Sequence, residues 1–361
     1  MKKRIEWIDI ARGITMISVV IGHSLYGYNN GLLSHFIYTF HMPIFFILTG
    51  YLYKKKRYVD ELRSTSRNLL LPYYFTGLIM VVVYLLATTS DGSRVLSAGF
   101  VPTLNDLISA LLYGAGVQPL LPFSVTIFAC GMIWFLIAMA ISLQIFNFTM
   151  RKTENLKQRM VLRLLIFSSC AVIAKIVVNY WLLPLSLNAA LFALIFMYIG
   201  YLMKQSNVLS DLKFWLILAS LAMWILVANT QSLNMSSVKT DDTLLAIIGA
   251  SSGSIVIFKI SQILEKTNLI KVPLRIIGQY SIIFFCFHNI DVAFSRIPSF
   301  IINSTFTNSI VVKIIIVMIY RLVIPTLAVI LIPRTPILKS IFLNRQFPLM
   351  KKRERHAKPQ N

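Results

Sequence analysis

The sequence predicts an all-α, polytopic membrane protein: about ten transmembrane helices in one bundle, with both termini on the cytoplasmic side. Two observations carry this reading. The first is composition. Of 361 residues, 57% are hydrophobic and 13% charged, and the mean hydropathy is +0.73. A soluble domain carries about 25% charged residues, so this chain has too little polarity to cover a water-facing surface. The second is distribution. The apolar residues come in long runs, among them 14–21, 79–87, 244–257 and 310–332. These sit in windows near the roughly 20 residues that cross a bilayer as a helix. Lipid cannot satisfy an open backbone, so such runs are expected to be helical.

The helices are expected at about 5–27, 33–53, 69–88, 125–147, 161–183, 188–203, 212–229, 243–263, 276–296 and 310–332. Residues 104–123 are interrupted by Gly114, Gly116, Pro119 and Pro122 and read as an external or re-entrant loop. Charge tests the order. With both termini inside, the cytoplasmic segments hold 26 of the 35 Lys and Arg residues: 3 at the N-terminus, 6 in 54–68, 4 in 148–160, 2 in 204–213, 3 in 264–275 and 8 from 333 onward. The outer loops and their edges hold only Arg94, Lys239 and Arg296. This asymmetry follows the positive-inside rule, and an error of one helix would scramble it. Residues 1–335 form the transmembrane domain and 336–361 a basic cytoplasmic tail. The end of that tail, Lys351-Lys-Arg-Glu-Arg355 through Asn361, reads as a solvated topology anchor near anionic lipid.

A formal net charge of +22 on a soluble protein would suggest a nucleic-acid partner. Here the basic residues cluster between hydrophobic runs and no basic, aromatic-interleaved module exists, so no nucleic acid is expected. Cys130, Cys170 and Cys286 lie far apart inside apolar runs. They read as small buried hydrophobes, and neither a CxxC pair nor a metal-ligand spacing appears. Met1-Lys-Lys-Arg4 precedes an apolar stretch as in a signal peptide. Asp9 and Arg12 interrupt that stretch and no small-residue cleavage site follows His23, so it reads as an uncleaved first span.

Ionisable groups at bilayer depth cost roughly 2.5–3.5 kcal/mol each and so need partners, and usually a task. Span one holds Asp9 and Arg12, three residues apart and neighbours on one helical face. His23 lies eleven residues after Arg12, about three turns and about 16 Å along the same face. Span two places His41 in an aromatic segment. Span nine holds His288, followed by Asn289 and Asp291. Three of the five histidines thus fall at similar depth on different helices. Arg321 lies near the centre of span ten, facing an anionic group or the bundle interior. Lys175 and Lys259 also lie within spans. Gly249 and Gly253 form a GxxxG in span eight, a signature of close helix packing.

Several ordered motifs resemble one family. Arg4-Ile-Glu-Trp-Ile-Asp9-Ile-Ala-Arg12-Gly-Ile with Gly22-His23-Ser24 resembles the first helix of the membrane acyltransferase-3 proteins, including their Arg-x10-His spacing. Ile37-Tyr-Thr-Phe-His41-Met-Pro-Ile-Phe-Phe46 with Thr49-Gly50-Tyr51 resembles the second-helix signature of the fucose 4-O-acetylase-like branch. Arg67-Asn-Leu-Leu-Leu-Pro72-Tyr73, Ile133-Trp134-Phe135-Leu136, Leu183-Pro184 with Phe196-Met-Tyr-Ile-Gly200, and Ile277-Gly278-Gln279-Tyr280-Ser281 leading to Phe287-His288-Asn289 resemble its later motifs in order. Thr49 stands where Ser is common. No C-terminal hydrolase-like domain follows, so a second transfer step on this chain is not expected.

The resemblance implies an integral membrane O-acyltransferase of the inner membrane. It would transfer an acetyl group from acetyl-CoA, with no metal, to a glycan or lipid-linked sugar acceptor. O-acyl transfer needs a base for the hydroxyl proton, and a near-neutral imidazole suits that role. The resemblance assigns it to His23, which acts as base or transiently carries the acyl group. Asp9 and Arg12 would orient the first helix, and Arg12 would bind a CoA phosphate. Lys54, Lys55, Arg63 and Arg67 form a CoA-phosphate funnel or simply topology charge. His41 would position the acceptor or hold the thioester carbonyl. Tyr38, Tyr73 and Trp134 would stack on a sugar, with His288 and Arg321 as further acceptor contacts. The rival reading is a proton-coupled transporter or flippase of a glycan intermediate, which intramembrane His, Asp and Arg would also suit. Transporters often show related halves and matched broken helices, and neither is found here.

Overall fold

The computed structural model describes residues 4–25, 31–98, 101–122, 124–209, 212–267 and 270–348. Among them the chain is all-helical, with only two isolated bridges of extended backbone. Helix α1 (Glu6–Ser24) opens the bundle. Helices α2 (Leu32–Phe40) and α3 (Pro43–Tyr51) make one 20-residue span. It is interrupted at His41 and Met42 because Pro43 has no N–H to return to the preceding turn. Helix α4 (Tyr58–Thr65), a π-turn at Ser66–Leu70 and α5 (Leu71–Ala87) run together for 30 residues. The π-turn lies just ahead of Pro72, where the regular ladder cannot continue, and widening the turn absorbs the misfit.

Three expectations are corrected here. Residues 54–68 are largely helical rather than a loop. The interrupted stretch 104–123 begins as a helix, α7 (Leu104–Tyr113), after the short α6 (Gly92–Val95). A capping box starts α7, with the Thr103 hydroxyl accepting from the Asp106 N–H while Asp106 accepts from the Thr103 N–H. The described residues among 114–130 then run without regular structure. The expected span at 276–296 is instead a bent pair, α13 (Lys271–Gln279) and α14 (Ser281–Phe294), turning by 80° at Tyr280.

The remaining helices are α8 (Trp134–Lys152), α9 (Arg159–Val177), α10 (Leu187–Gln205), α11 (Phe214–Thr230), α12 (Thr243–Leu264), α15 (Ile297–Asn303), α16 (Ile310–Leu331) and α17 (Pro336–Phe342). Among the described residues, seven helices are long and apolar enough to cross a membrane, and eight if the bent pair is one span. Helix α1 has the length, at 19 residues, but Asp9, Arg12 and His23 lower its apolar content. Helix α11 has 17 residues. These two separate the observed number from the ten expected. The chain is a multi-pass membrane protein whose outer helices leave large apolar side chains exposed, among them Leu218, Ile225, Val172, Ile176, Ile319 and Leu327, as a lipid-facing surface requires.

Between helices in lipid there is little hydrophobic drive, so close packing must carry association. Glycines permit it at two crossings. A Cβ on Gly50 of α3 would stand 1.8 Å from the Met197 carbonyl of α10, and one on Gly200 would stand 1.9 Å from the Ile47 carbonyl. Gly13 of α1 and Gly278 of α13 make the second crossing, with Gly278 against the Asp9 carbonyl. Gly249 and Gly253 of α12 sit against Val227, Phe40 and Trp224, which is the packing role their spacing suggested. The half-buried lysines within the spans have structural partners too. Lys175 donates to the carbonyls of Val238 and Thr240, and Lys259 to that of Leu209. Residues 336–348, expected in a tail, begin with α17, whose Phe342 is buried against Phe75 and Phe287. The basic end from 351 lies outside the described residues.

Because the Gly200 contact is to backbone, no side-chain movement relieves a larger residue there. Gly200→Val is expected to cost at least about 1–3 kcal/mol and to lower both the folded yield and the Tm in detergent. Thr49→Ser, which keeps the hydroxyl bond to the Phe45 carbonyl, should leave both unchanged.

Candidate active site

A cavity of about 280 Å³ opens inside the bundle. Val19 and His23 of α1 form one wall, and Tyr38, His41 and Met42 at the break between α2 and α3 form the next. Phe285, Asn289, Val292 and Ala293 of α14 face them. Gly116, Val117, the turn Gly131–Ile133 with Trp134, and residues 233–236 complete the enclosure. The lining is mainly apolar, with a few convergent polar groups, which is the usual character of a small-molecule site.

His23 lies in the last turn of α1, where carbonyls have no helical partner. Arg321 of α16, buried, donates from Nη1 to the His23 carbonyl at 2.9 Å. A cation here also meets the negative end of the helix dipole. This contact holds the helix terminus and so the imidazole. The His23 ring centroid is 6.2 Å from that of Tyr38 and 6.0 Å from that of His288. Tyr38 in turn is edge-on to His41 at 5.0 Å. His41 Nδ1 is 2.9 Å from the Ile37 carbonyl. A carbonyl can only accept, so Nδ1 carries the proton and Nε2 is left as the acceptor nitrogen.

Asn289 ties α14 to the turn at 131–134. Its Oδ1 accepts from the Met132 N–H at 2.6 Å, and its Nδ2 lies 3.4 Å from the Met80 sulfur. Gly131 has φ +76°, and a Cβ there would stand 2.5 Å from Asn289 Oδ1. Both its backbone conformation and its neighbour therefore require glycine.

The other end of the bundle is basic. Asp9 pairs with Arg4 at 3.0 Å and Arg12 at 3.8 Å, and Glu6 pairs with Arg275 at 2.7 Å. Arg63 and Arg67 line a separate hollow of about 330 Å³ with Asp60, Ser64, Asn68, Asn344 and Pro348. Lys55 is not in that hollow. It pairs with Glu154 at 2.6 Å, and its hydrogen bond holds the Glu154 carboxyl below its ordinary range. Lys54 is exposed nearby.

The structure thus brings His23, His41, Tyr38 and Trp134 to one cavity and sets Arg12 about three turns and Asp9 about four turns away along α1. Tyr73 does not reach the cavity, because it is buried and donates to the Leu111 carbonyl. His288 and Arg321 stand behind His23 rather than in the lining. Asn289, the 131–132 turn and residues 233–236 were not anticipated as cavity walls. The glycines at 114 and 116 hinted at close backbone approach, whereas nothing in 233–236 marks it.

Fold and site together define an integral membrane protein with a histidine-walled chamber in its helical bundle and a cationic hollow at one end. Residues 5–330 match the acyltransferase domain of the acyltransferase-3 family, and the chain belongs to that family. No curated protein and no solved structure matches it. The protein is accordingly a membrane acyltransferase, and the transport reading finds no support. Asn289→Ala would leave the Met132 N–H buried without its acceptor. The expected cost is about 1–3 kcal/mol, read as a lowered Tm of the purified protein.

Proposed function

We propose that this acyltransferase moves an acetyl group from acetyl-CoA to a hydroxyl of a sugar in a surface polysaccharide, glycolipid or related glycan. It would work in the inner membrane, with ten spans counting α1 and α11, both termini cytoplasmic, and a place in the fucose 4-O-acetylase-like branch. The observation that carries the reading is the position of His23, an imidazole on the wall of an intrabundle cavity and faced there by Tyr38 and His41. Its ring faces the cavity rather than lipid.

In the proposed reaction His23 takes the proton of the acceptor hydroxyl as that oxygen attacks the thioester carbonyl. The C–S bond breaks, and the CoA thiolate leaves and recovers the proton as a thiol. Transfer by way of an acyl-imidazole on His23 uses the same groups in two steps. His41 and Tyr38 orient the acceptor, and Trp134 offers an aromatic face to a sugar ring. In the proposed topology the cavity belongs to the outer side and the hollow with Arg63 and Arg67 to the cytoplasmic side. Acyl-CoA phosphates would dock at that hollow and at Arg12, and the pantetheine arm would follow the α1 stripe, about 16 Å from Arg12 to His23, to the imidazole.

Purified protein in proteoliposomes is expected to transfer labelled acetyl from acetyl-CoA to an envelope glycan. His23→Ala should abolish transfer while inserting normally, and an active His23→Ala protein would refute the role. Arg63→Gln with Arg67→Gln is expected to raise the KM for acetyl-CoA about tenfold with little change in kcat, since lost phosphate contacts weaken donor binding alone.

A further inference from the structure

His288 of α14 is 1% exposed, and neither of its ring nitrogens meets a hydrogen-bond partner among the described residues. An imidazole buried in this way is costly, and an apolar ring of similar size would not be. Histidine at this position therefore answers to a demand other than packing. Its neighbour Asn289 is accounted for by the bond to Met132. His288 lies three residues after Phe285 and four before Val292, on one helical face with them. Those two line the cavity. His288 does not, and its ring centre is 6.0 Å from that of His23, which does.

The chemistry of His23 supplies the demand. An imidazole that acts as a base needs one nitrogen bare toward the acceptor and the other protonated. The partner of that second N–H decides which nitrogen is which. Arg321 cannot be that partner, because a guanidinium only donates. Its bond to the His23 carbonyl fixes the main chain, while the ring still turns about its side-chain bonds. Tyr38 and His41 both line the cavity, and His41 Nδ1 already faces the Ile37 carbonyl. His288 stands outside the lining, and a neutral imidazole always carries one acceptor nitrogen. Two imidazoles joined by a bond of about 2.9 Å have ring centres roughly 5 Å apart, so His23 and His288 are about one ångström from that geometry. Small side-chain rotations close such a gap, and catalytic hydrogen bonds commonly tighten as substrate enters.

Resting on the transfer reading above, we propose that His288 is a positioning residue for that reaction: its neutral imidazole accepts the second ring N–H of His23 from behind, which leaves the cavity-facing nitrogen of His23 bare to act as the base. His288 itself takes no proton. The proton passes from the hydroxyl to His23 and then to the departing thiolate, and the bond from His288 holds the His23 ring in place while it is charged.

The test uses the full-length chain in proteoliposomes with acetyl-CoA and the glycan acceptor. It compares wild type, His23→Ala, His288→Phe, His288→Asn and His288→Gln. Wild-type transfer with an inactive His23→Ala upholds the transfer reading independently of His288. His288→Phe keeps a ring but cannot accept a hydrogen bond. It is expected to lower kcat roughly tenfold to a hundredfold, a part of what a positioned base contributes. The KM for acetyl-CoA and for the acceptor should stay within about twofold. The amide oxygens of Asn and Gln reach the places of the two ring nitrogens, so one of these variants should recover most of the rate. A wild-type kcat in His288→Phe, an equal loss in all three variants, or a loss confined to the acceptor KM overturns the proposal; the last would make His288 a direct acceptor contact. A second measurement does not depend on transfer. Solid-state NMR of the 15N-histidine protein in lipid, with acetyl-CoA present, should show one pair of ring nitrogens coupled across a hydrogen bond. That pair should vanish in both His23→Ala and His288→Phe. A wild-type spectrum without such a pair overturns the proposal, whether or not acetyl transfer is seen.

Discussion

At the end of α1, the carbonyl of His23 accepts a hydrogen bond from Arg321 at 2.9 Å. In water such a helix terminus would be satisfied by solvent. Inside a lipid-embedded bundle it must be satisfied by protein. The guanidinium supplies the missing donor, complements the negative end of the helix dipole, and joins α1 to α16. The position of the imidazole follows from this contact, because His23 sits in the very turn being held. So does the electrostatic character of the region behind it, where the buried Arg321 cation stands at the helix end that carries His23.

The rest of the scaffold brings other walls to that point. The break at His41 and Met42, forced by Pro43, turns Tyr38 and His41 toward α1. The reciprocal contact of Gly50 and Gly200 fixes α3 on α10 at a distance that any side chain would prevent. Gly13 and Gly278 set α13 directly on α1, and the 80° bend after α13 then carries α14 past His23. Asn289 secures the last wall by bonding the turn that begins α8. Each device replaces hydrophobic driving force, which is weak between helices in lipid, with backbone proximity or a buried hydrogen bond.

The two ends of the bundle have different chemistries. One gathers Arg4, Arg12, Arg63, Arg67 and Arg275 around short loops, partly neutralised by Glu6 and Asp9. The other encloses an apolar chamber with a few polar side chains. Under the proposed reading, a donor rich in phosphate would suit the first end and an acceptor rich in hydroxyls the second. Helix α1 is the element that reaches from one end to the other.

Composition and charge alone determined that this is a helical membrane protein, because lipid imposes one rule on every apolar segment and that rule is readable residue by residue. The stripe of Asp9, Arg12 and His23 was legible for the same reason, since helical period fixes which residues share a face. Other features depended on partners distant in sequence. The bend between α13 and α14, the helix within 104–123, and the exclusion of Tyr73 from the cavity arise from packing against α1, α5 and residues near 111. The walls contributed by Asn289 and 233–236, and the placement of Arg321 on a carbonyl 298 residues away, follow no local pattern. They exist because buried polar groups must find partners wherever the fold brings them, and only the tertiary structure decides where that is.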